Sequence, residues 1–585
     1  MIQINIKANI YQTLKGLKAS LKRFPVTIIT SVVLVILLIA LEESRSYWQK
    51  EELENLTQII MVIALGLPLF TSMKFFLEKK GKYNGIFQII LFALVGIFLL
   101  LYYFFLLKDF KTVSISRYIG MSVFLYVTFL YIPRLGRRED YEYYIIKIFS
   151  SFLMTLIYSF VLFAGISLIL FSVSKLFSVN IEGKIYYYAF VIIAGLFSVP
   201  YFLAKIPLIS SKFSDEKYSK GLKILLLYIV IPLILIYTLI LYVYFGKIVL
   251  TQQWPIGLVS NLVLWYTTLS IGVIFLIYPL KVDNNWAKYF INWFPKIILP
   301  ILIMMFVSMG IRVRAYGITE NRYYVLVLGI WVSAIMLYFI FAKEKRNIII
   351  PVTFSVIVLN SIFGPLSGFS VSKYSQNRRF VHILEKNNMI EDGNIVKSQE
   401  SISADDRAEI SSILDYFEDN HSLEDIKYLP SGFAMGDMDE VLGFSYVKKA
   451  SDGRGEYLYY SSYENEGAID VKDYDYFMDS NSLYRKSLEI EGIRAEYDIN
   501  SFAFSLVRNG KVMYTKDLNE YGRTIYENNK NTEGKSIDPA EMTFTDENDD
   551  FKIKYIIRSL SGKLEGDPAK FHLQNMEINI LLKIK

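Results

Sequence analysis

Apolar residues in the first two thirds of the chain come in long unbroken runs, separated by short charged gaps. Eleven such runs lie at about 24–42, 56–73, 84–107, 118–133, 149–174, 185–204, 224–246, 257–280, 297–311, 323–342 and 347–369. Every lysine and arginine of residues 1–370 falls between runs and none within one. Crossing a bilayer takes about 20 apolar residues at a helical rise near 1.5 Å each. The pattern predicts an all-α polytopic membrane bundle of about 11 transmembrane helices over residues 24–370. The runs at 118–133 and 297–311 are the shortest and the weakest candidates.

Ahead of the first run, Ile6, Ile10, Leu14, Leu17 and Leu21 recur at helical spacing among Lys15, Lys18, Lys22 and Arg23. This is the pattern of a basic amphipathic helix over residues 1–23, suited to an anionic headgroup layer. Behind the last run the periodicity changes. Residues 371–440 read as a helical connector, with a short helix at Arg379–Lys386 and an amphipathic one at Ser403–Phe417, which Ser403 can cap. Residues 441–585 read as strands: Val441–Val447, Glu456–Ser461, Ala468–Val471, Ile493–Tyr497, Phe502–Arg508, Lys511–Lys516, Phe551–Arg558 and Met576–Ile584. Asn509-Gly510 between two alternating runs is a strong hairpin signal. The polar stretch 527–550 reads as a long loop. The bundle is therefore expected to be followed by a soluble α+β domain.

The overall net charge of +6 conceals a split. Residues 1–370 hold 35 basic and 16 acidic side chains, and residues 371–585 hold 27 and 40. Alternate gaps differ as well: the N-terminus and the gaps near 74–82, 134–147, 205–223, 281–296 and 343–346 hold 24 Lys+Arg, against 11 in the others. Cytoplasmic loops carry the excess of Lys and Arg. The expectation is an N-terminus in the cytoplasm and, with eleven crossings, an extracytoplasmic C-terminal domain. The charge has a topological explanation and gives no reason to expect a nucleic-acid partner.

The chain has no cysteine, which excludes disulfides and thiolate chemistry. His382, His421 and His572 show no metal-ligand spacing, so neither a metal nor a cofactor is expected. No charged residue interrupts the runs, which disfavours a carboxylate-based ion-coupled pump. The polar groups at depth, among them Thr267, Ser270 and Asn360, are expected to hydrogen-bond between helices. The densest polar stretch is R-V-R-A-Y-G-I-T-E-N-R-Y-Y at 312–324. It reads as a turn joining two spans on the outer side. Its Arg312, Arg314, Tyr316, Glu320, Arg322 and Tyr323 are candidate substrate-binding residues, since guanidinium groups grip phosphate or carboxylate bidentately. A solvated turn with an aromatic belt is the plain alternative. Trp254, on the same side, and Lys15, Lys18, Lys22 and Arg23, on the other, are candidate membrane-interface residues.

Four stretches carry a likeness: R-F-P at 23–25, Y-G-I-T-E-N-R-Y at 316–323, G-P-L-S-G-F-S-V-S-K-Y-S-Q-N-R-R at 364–379, and D-Y-D-Y at 473–476. With the pattern of spans, the chain resembles the bacterial membrane proteins grouped as domain of unknown function 4153. The resemblance implies an integral protein of the bacterial inner membrane with a trailing soluble domain, and supplies no catalytic residues. Three functional readings stay open. One is a permease-like or lipid-handling protein, with a lipid or small solute bound at an outer-side polar pocket. The second is an envelope sensor or scaffold whose C-terminal domain binds a ligand or protein partner. The third is a membrane-embedded enzyme, for which Glu320 is the one plausible carboxylate; nothing else in the sequence favours an enzyme.

Overall fold

In a computed structural model the chain divides into two compact units: residues 1–406 with 412–445, and residues 407–411 with 446–585. The structure describes all residues except 1–5, 82–84, 137–139, 212, 214–217, 253–257, 399–401, 448–455, 463–468, 486, 530–536 and 566–569. The first unit is helical. It opens with α1 (Ile6–Arg23), α2 (Pro25–Ser44), α3 (Lys50–Lys80), α4 (Gly85–Leu106), α5 (Thr112–Tyr131) and α6 (Tyr141–Phe177). It continues through α7 (Gly183–Lys205), α8 (Lys220–Thr251), α9 (Leu258–Ile277), α10 (Asn285–Tyr316) and α11 (Glu320–Phe341). Ten helices among the described residues, α2 to α11, are long and apolar enough to cross a membrane. Exposed Ile, Leu and Phe side chains, such as Leu168, Phe160 and Leu239, cover their outer faces, as a hydrocarbon solvent allows.

The weakest span is not where run length suggests. The runs at 118–133 and 297–311 lie in helices of 20 and 32 residues. The short element is α12 (Ile349–Ile362), 14 residues, or roughly 21 Å of helix against a hydrocarbon core of about 30 Å. It still returns the chain along α11. The Arg346 backbone N–H donates to Tyr338 Oη, Trp331 Nε1 donates to Thr353 Oγ1 at 3.0 Å, and Tyr323 Oη donates to the Leu366 carbonyl. The partners run antiparallel, so residue 366 re-emerges beside the first turn of α11.

The gaps also sort by end. Arg23 bonds Glu78 and the Ile206 and Pro207 carbonyls, Arg134 bonds the Ser211 carbonyl, and Asn347 bonds Glu142. These are the basic gaps meeting one another. At the other end Tyr188 bonds Glu43, and Arg117 lies over the Phe363 and Phe369 rings.

Two prolines leave matching marks on the bundle. Pro200 and Pro232 follow π-helical turns at Ile193–Ser198 and Leu225–Val230. Proline has no N–H, so the carbonyl five residues before it loses its partner in the π register. Those carbonyls are Gly195 and Leu227. Ser31 Oγ donates to the first at 2.8 Å and Trp286 Nε1 to the second at 3.1 Å, each from another helix. The polar residues singled out from sequence behave otherwise: Thr267, Ser270 and Asn360 bond back to Val263, Tyr266 and Val356 of their own helices. Interhelical bonds come from Thr27–Thr71, Ser159–Ser198 and Tyr131–Ser355.

Beyond α12 come α13 (Gly368–Lys386), the two-residue strands β1 (Ile390–Glu391) and β2 (Asn394–Ile395), α14 (Ala404–Asn420) and α15 (Met438–Leu442). Helix α13 starts eleven residues before the expected Arg379, because Ser367 accepts from the Ser370 N–H and caps it there. Ser403 caps α14 as expected, accepting from Asp406 N. The strand expected at Val441–Val447 is not formed: α15 occupies its start and ends at Gly443 in the left-handed region, φ 81°.

The second unit holds β3 (Glu456–Ser461), β4 (Tyr476–Asp479), α16 (Ser480–Arg485), β5 (Leu488–Ile490), β6 (Ile493–Asp498), β7 (Ala503–Arg508) and β8 (Lys511–Asp517). Helix α17 (Asn519–Asn528) and strands β9 (Thr543–Glu547), β10 (Phe551–Glu565) and β11 (Lys570–Ile584) complete it. One sheet runs β3-β10-β11-β4 with β9 also on β10; the other is the meander β5-β6-β7-β8. Their inner faces meet over Phe504, Leu506, Tyr555, Ile557, Ile578 and Ile580. Asn509 and Gly510 turn β7 into β8 with φ of 52° and 76°, the two positive values a type I′ turn requires. Ile469–Val471 forms no strand, and Ala468 lies outside the described residues. The stretch 527–550 is not all loop, since it carries the end of α17 and β9.

Candidate functional site

The stretch 312–324 is not a solvated turn. Arg312, Arg314 and Tyr316 belong to the last turns of α10, Gly317–Thr319 makes the link, and Glu320 opens α11. A helix C-terminus leaves carbonyls without N–H partners, and positive charge is favoured there. At α10 those carbonyls receive guanidinium groups. Arg379 donates to the Tyr316 carbonyl at 2.7 Å and the Ala315 carbonyl at 3.2 Å. Arg322 donates to the Tyr316 and Gly317 carbonyls at 3.1 and 3.0 Å, with its guanidinium 5.4 Å from the Tyr316 ring centre. Gln376 Nε2 reaches the Tyr316 and Ile318 carbonyls, both at 3.1 Å. Gly317 permits this crowding: at φ 67°, ψ −175° its backbone occupies a region essentially reserved for glycine. An added Cβ would lie 2.5 Å from Arg379 Cδ.

Behind this junction sits a buried polar cluster. Glu320 lies in the first turn of α11, where the helix dipole favours an anion. Its Oε1 accepts from Tyr416 Oη at 2.6 Å and lies 2.7 Å from His421 Nε2. The Tyr416 hydroxyl is also 3.0 Å from His421 Nε2. Burial and the adjacent Glu320 carboxylate push the Tyr416 hydroxyl well above the ordinary tyrosine range. The cluster ties the start of α11 to the end of α14, about a hundred residues later. A carboxylate oxygen closed off by two donors acts here as a fastening point. Tyr323, bonded to the Leu366 carbonyl, fastens α12's exit in the same way.

On the outer face of the junction lies a cleft of about 810 Å³ between the end of α10, one face of α13 and the Lys427–Tyr428 segment. Tyr374, Arg378 and His382 line it from one face of α13, at i, i+4 and i+8. Arg314, Arg379 and Lys427 complete the basic lining, and Glu385 is the acidic residue among the described lining residues. Arg314, Arg378 and Lys427 are exposed and form no ion pair among the described residues. Asn377 positions Lys427: its Oδ1 accepts the Lys427 N–H at 2.8 Å, and its Nδ2 donates to the Asp425 carbonyl at 2.9 Å. Lys373 adds an ion pair to Asp425 at 2.9 Å. Tyr428 has φ of 69°, rare for an aromatic residue, and lines the cleft, as Tyr374 does.

Of the residues singled out from sequence, Arg314 lines the cleft. Arg312 lies close enough to Arg322 to interact electrostatically, half-buried at the helix end. Tyr316 and Arg322 build the junction, and Glu320 and Tyr323 fasten it. Lys15, Lys18 and Lys22 are exposed on α1, whereas Arg23 turns inward to Glu78. Trp254 lies outside the described residues. Sequence reasoning missed Tyr374, Arg378, Arg379, His382, Lys427, Tyr428, Tyr416 and His421. The i, i+4, i+8 stripe on α13 was readable, but only had the helix been started before Arg379.

Fold and cleft together define a polytopic helical membrane protein with a trailing β-rich unit and a basic surface cleft at one end of the bundle. The family model described as a domain of unknown function, DUF4153, matches residues 17–397, and the chain belongs to this family. The matched region includes α10 to α13 and stops short of Tyr416, His421 and Lys427. The chain is also similar to an uncharacterized protein of Pasteurella multocida (strain Pm70), at 22% identity over 348 residues. That match takes in 59% of this chain and 57% of the relative, so the chain spans a little over half the relative's length. No solved structure matches.

Proposed function

We propose that this is a lipid-handling or permease-like protein whose ligand carries a phosphate or carboxylate, held in the cleft between α10 and α13. One observation supports the reading above others: Arg314, Arg378 and Lys427 converge without neutralising partners among the described residues. Paired guanidinium groups bind such anions bidentately, and Tyr374 and Tyr428 offer flat flanks for the rest of the ligand. The Glu320 cluster and the arginine-capped α10 terminus make the floor rigid, which lowers the ordering cost of binding.

The Lys/Arg excess orients the protein in this reading. The Arg23 end faces the cytoplasm of the bacterial inner membrane, and the cleft faces the opposite compartment. Because the chain lacks cysteine, Lys427→Cys would supply a unique thiol. It should react with a membrane-impermeant maleimide in intact spheroplasts; labelling only after lysis would place the cleft in the cytoplasm. The ligand reading is tested by native mass spectrometry of the purified protein. An anionic amphiphile should co-purify with the wild type and be lost from the Arg314→Ala, Arg378→Ala double variant. Equal retention by both would remove the cleft from consideration.

A further inference from the structure

A sideways opening in the Arg23 half of the bundle carries an inference independent of that cleft. Helices α5 and α6 follow one another in the chain but pack on different neighbours, α5 on α3 and α12, α6 on α7. Between them lies a cavity of about 530 Å³, backed by α2, α3 and α7. Phe202 on α7 bridges the gap, its ring centre 6.3 Å from that of Phe129 on α5 and 6.1 Å from that of Phe152 on α6. Tyr126 of α5 and Phe149, Phe152 and Leu156 of α6 are exposed along the mouth. Thr27, Pro68, Thr71 and Thr155 are buried at the back.

Depth and chemistry narrow what can enter. Thr27 follows Arg23 by four residues and Pro68 precedes Glu78 by ten, which puts the back of the cavity roughly 6–15 Å below that ion pair. This is the depth of one leaflet's hydrocarbon, about 15 Å thick. No charged side chain lines the cavity among the described residues. Its threonine and serine hydroxyls are already bonded within the bundle. Thr27 and Thr71 pair at 3.2 Å, Thr71 and Thr155 donate to the Leu67 and Ser151 carbonyls at 2.7 Å, and Ser198 donates to the Ile193 carbonyl at 2.9 Å. These groups select no polar ligand. Left empty, a space of this size would forfeit dispersion contacts along all its walls, whereas interiors tolerate few voids larger than a water. A helix does not fit either. From Ile145 to Leu156 the wall follows α6 for roughly 16 Å, so about 530 Å³ leaves about 33 Å² of cross-section, against about 80 Å² for a helix 10 Å across.

We propose that this cavity holds one hydrocarbon chain of a membrane lipid, which enters sideways between α5 and α6 whatever headgroup it carries. The test uses the full-length protein in lipid nanodiscs. The probes are phosphatidylglycerol and phosphatidylcholine with a photoreactive diazirine midway along one acyl chain, and labelled residues are mapped by mass spectrometry. Ile229 and Leu233, exposed at comparable depth on α8, report ordinary lipid contact. Labelling of the wild type should concentrate on Phe149, Phe152 and Phe202, about fivefold above Ile229 and Leu233, and equally for both lipids. Leu156→Trp, which narrows the mouth, should remove the enrichment, whereas Leu239→Trp on the outer face of α8 should keep it. Labelling no stronger at the cavity than on α8 overturns the proposal, and so does enrichment that survives Leu156→Trp. If that variant does not fold, Phe149→Trp blocks the same mouth and must give the same loss. Enrichment with phosphatidylglycerol alone would assign the site to headgroup recognition and overturn it too. So would an unlabelled cavity in a protein that runs as a dimer by native mass spectrometry, since a second polypeptide would then cover the mouth. Arg314→Ala should leave the map unchanged, which separates this outcome from the fate of the α10–α13 cleft.

Discussion

At the Glu320 end exposed cations stand around a cleft, whereas both ends of the bundle occupy buried and half-buried arginines. At the Arg23 end the protein itself satisfies them. Arg23 makes a two-pronged pair with Glu78, and the buried Arg134 bonds a carbonyl while lying over the Tyr144 and Phe213 rings. At the Glu320 end, Arg322 and Arg379 are likewise occupied, capping α10, but Arg314, Arg378 and Lys427 stand around an open cleft. A cation that the fold satisfies holds helices together. A cation that the fold positions and leaves exposed beside others of its sign is, in the proposed reading, a place for an anionic ligand. The comparison separates arginines by role where composition could not.

This contrast predicts a graded series. Arg23→Ala should have the largest effect on folding, leaving Glu78 without its partner at a half-buried junction. A loss of about 3 kcal/mol is expected, read as a lowered thermal midpoint in detergent. Gly317→Ala comes next, at about 2 kcal/mol, because it combines a disfavoured backbone region with displacement of Arg379. It should lower anion binding as well as stability, and unchanged binding would break the link between junction and cleft. Tyr416→Phe removes one donor from Glu320 and should cost about 1 kcal/mol without altering the cleft.

A smaller, pH-dependent effect is expected where α13 meets α14. Burial opposes ionisation of Asp406, but hydrogen bonds from Lys386, Asn387 and Ser403 outweigh it and hold its carboxyl below the usual carboxylate range. The folded-state value is thus lower than the unfolded one. The contribution is complete above the ordinary carboxylate pKa near 4 and drains away as pH falls through the depressed value. Asp406→Asn should remove it, flattening the acid limb of the stability curve by about 1 kcal/mol, discounted because Lys386 is largely exposed. The smallest stability change belongs to Arg378→Ala, within about 0.5 kcal/mol of wild type, while its loss of anion affinity should approach tenfold.

Much of the architecture was written in the hydropathy pattern. The spans, the capping Ser403 and the Asn509-Gly510 turn depend on local rules that neighbouring residues set. The shortness of α12 was hidden because the run of mostly apolar residues continues to Phe369 while the helix stops at Ile362. Val441–Val447 looked like a strand because its apolar residues alternate, yet Gly443 stops a helix there. The sites were harder. Tyr416 and His421 reach Glu320 across about a hundred residues, and no local pattern announces such a meeting. Arg322 and Arg314 carry the same charge on either side of one short link, and only the position of the α10 carbonyls tells the capping residue from the exposed one.

The decisive measurement is a titration of the purified full-length protein with short-chain phosphatidic acid, followed by tyrosine fluorescence at two salt concentrations. Saturable binding by the wild type that weakens with salt, falls about tenfold in Arg378→Ala and further with Arg314→Ala is the predicted result. Binding of equal strength in wild type and double variant, or none in either, would contradict an anion-binding role for the cleft.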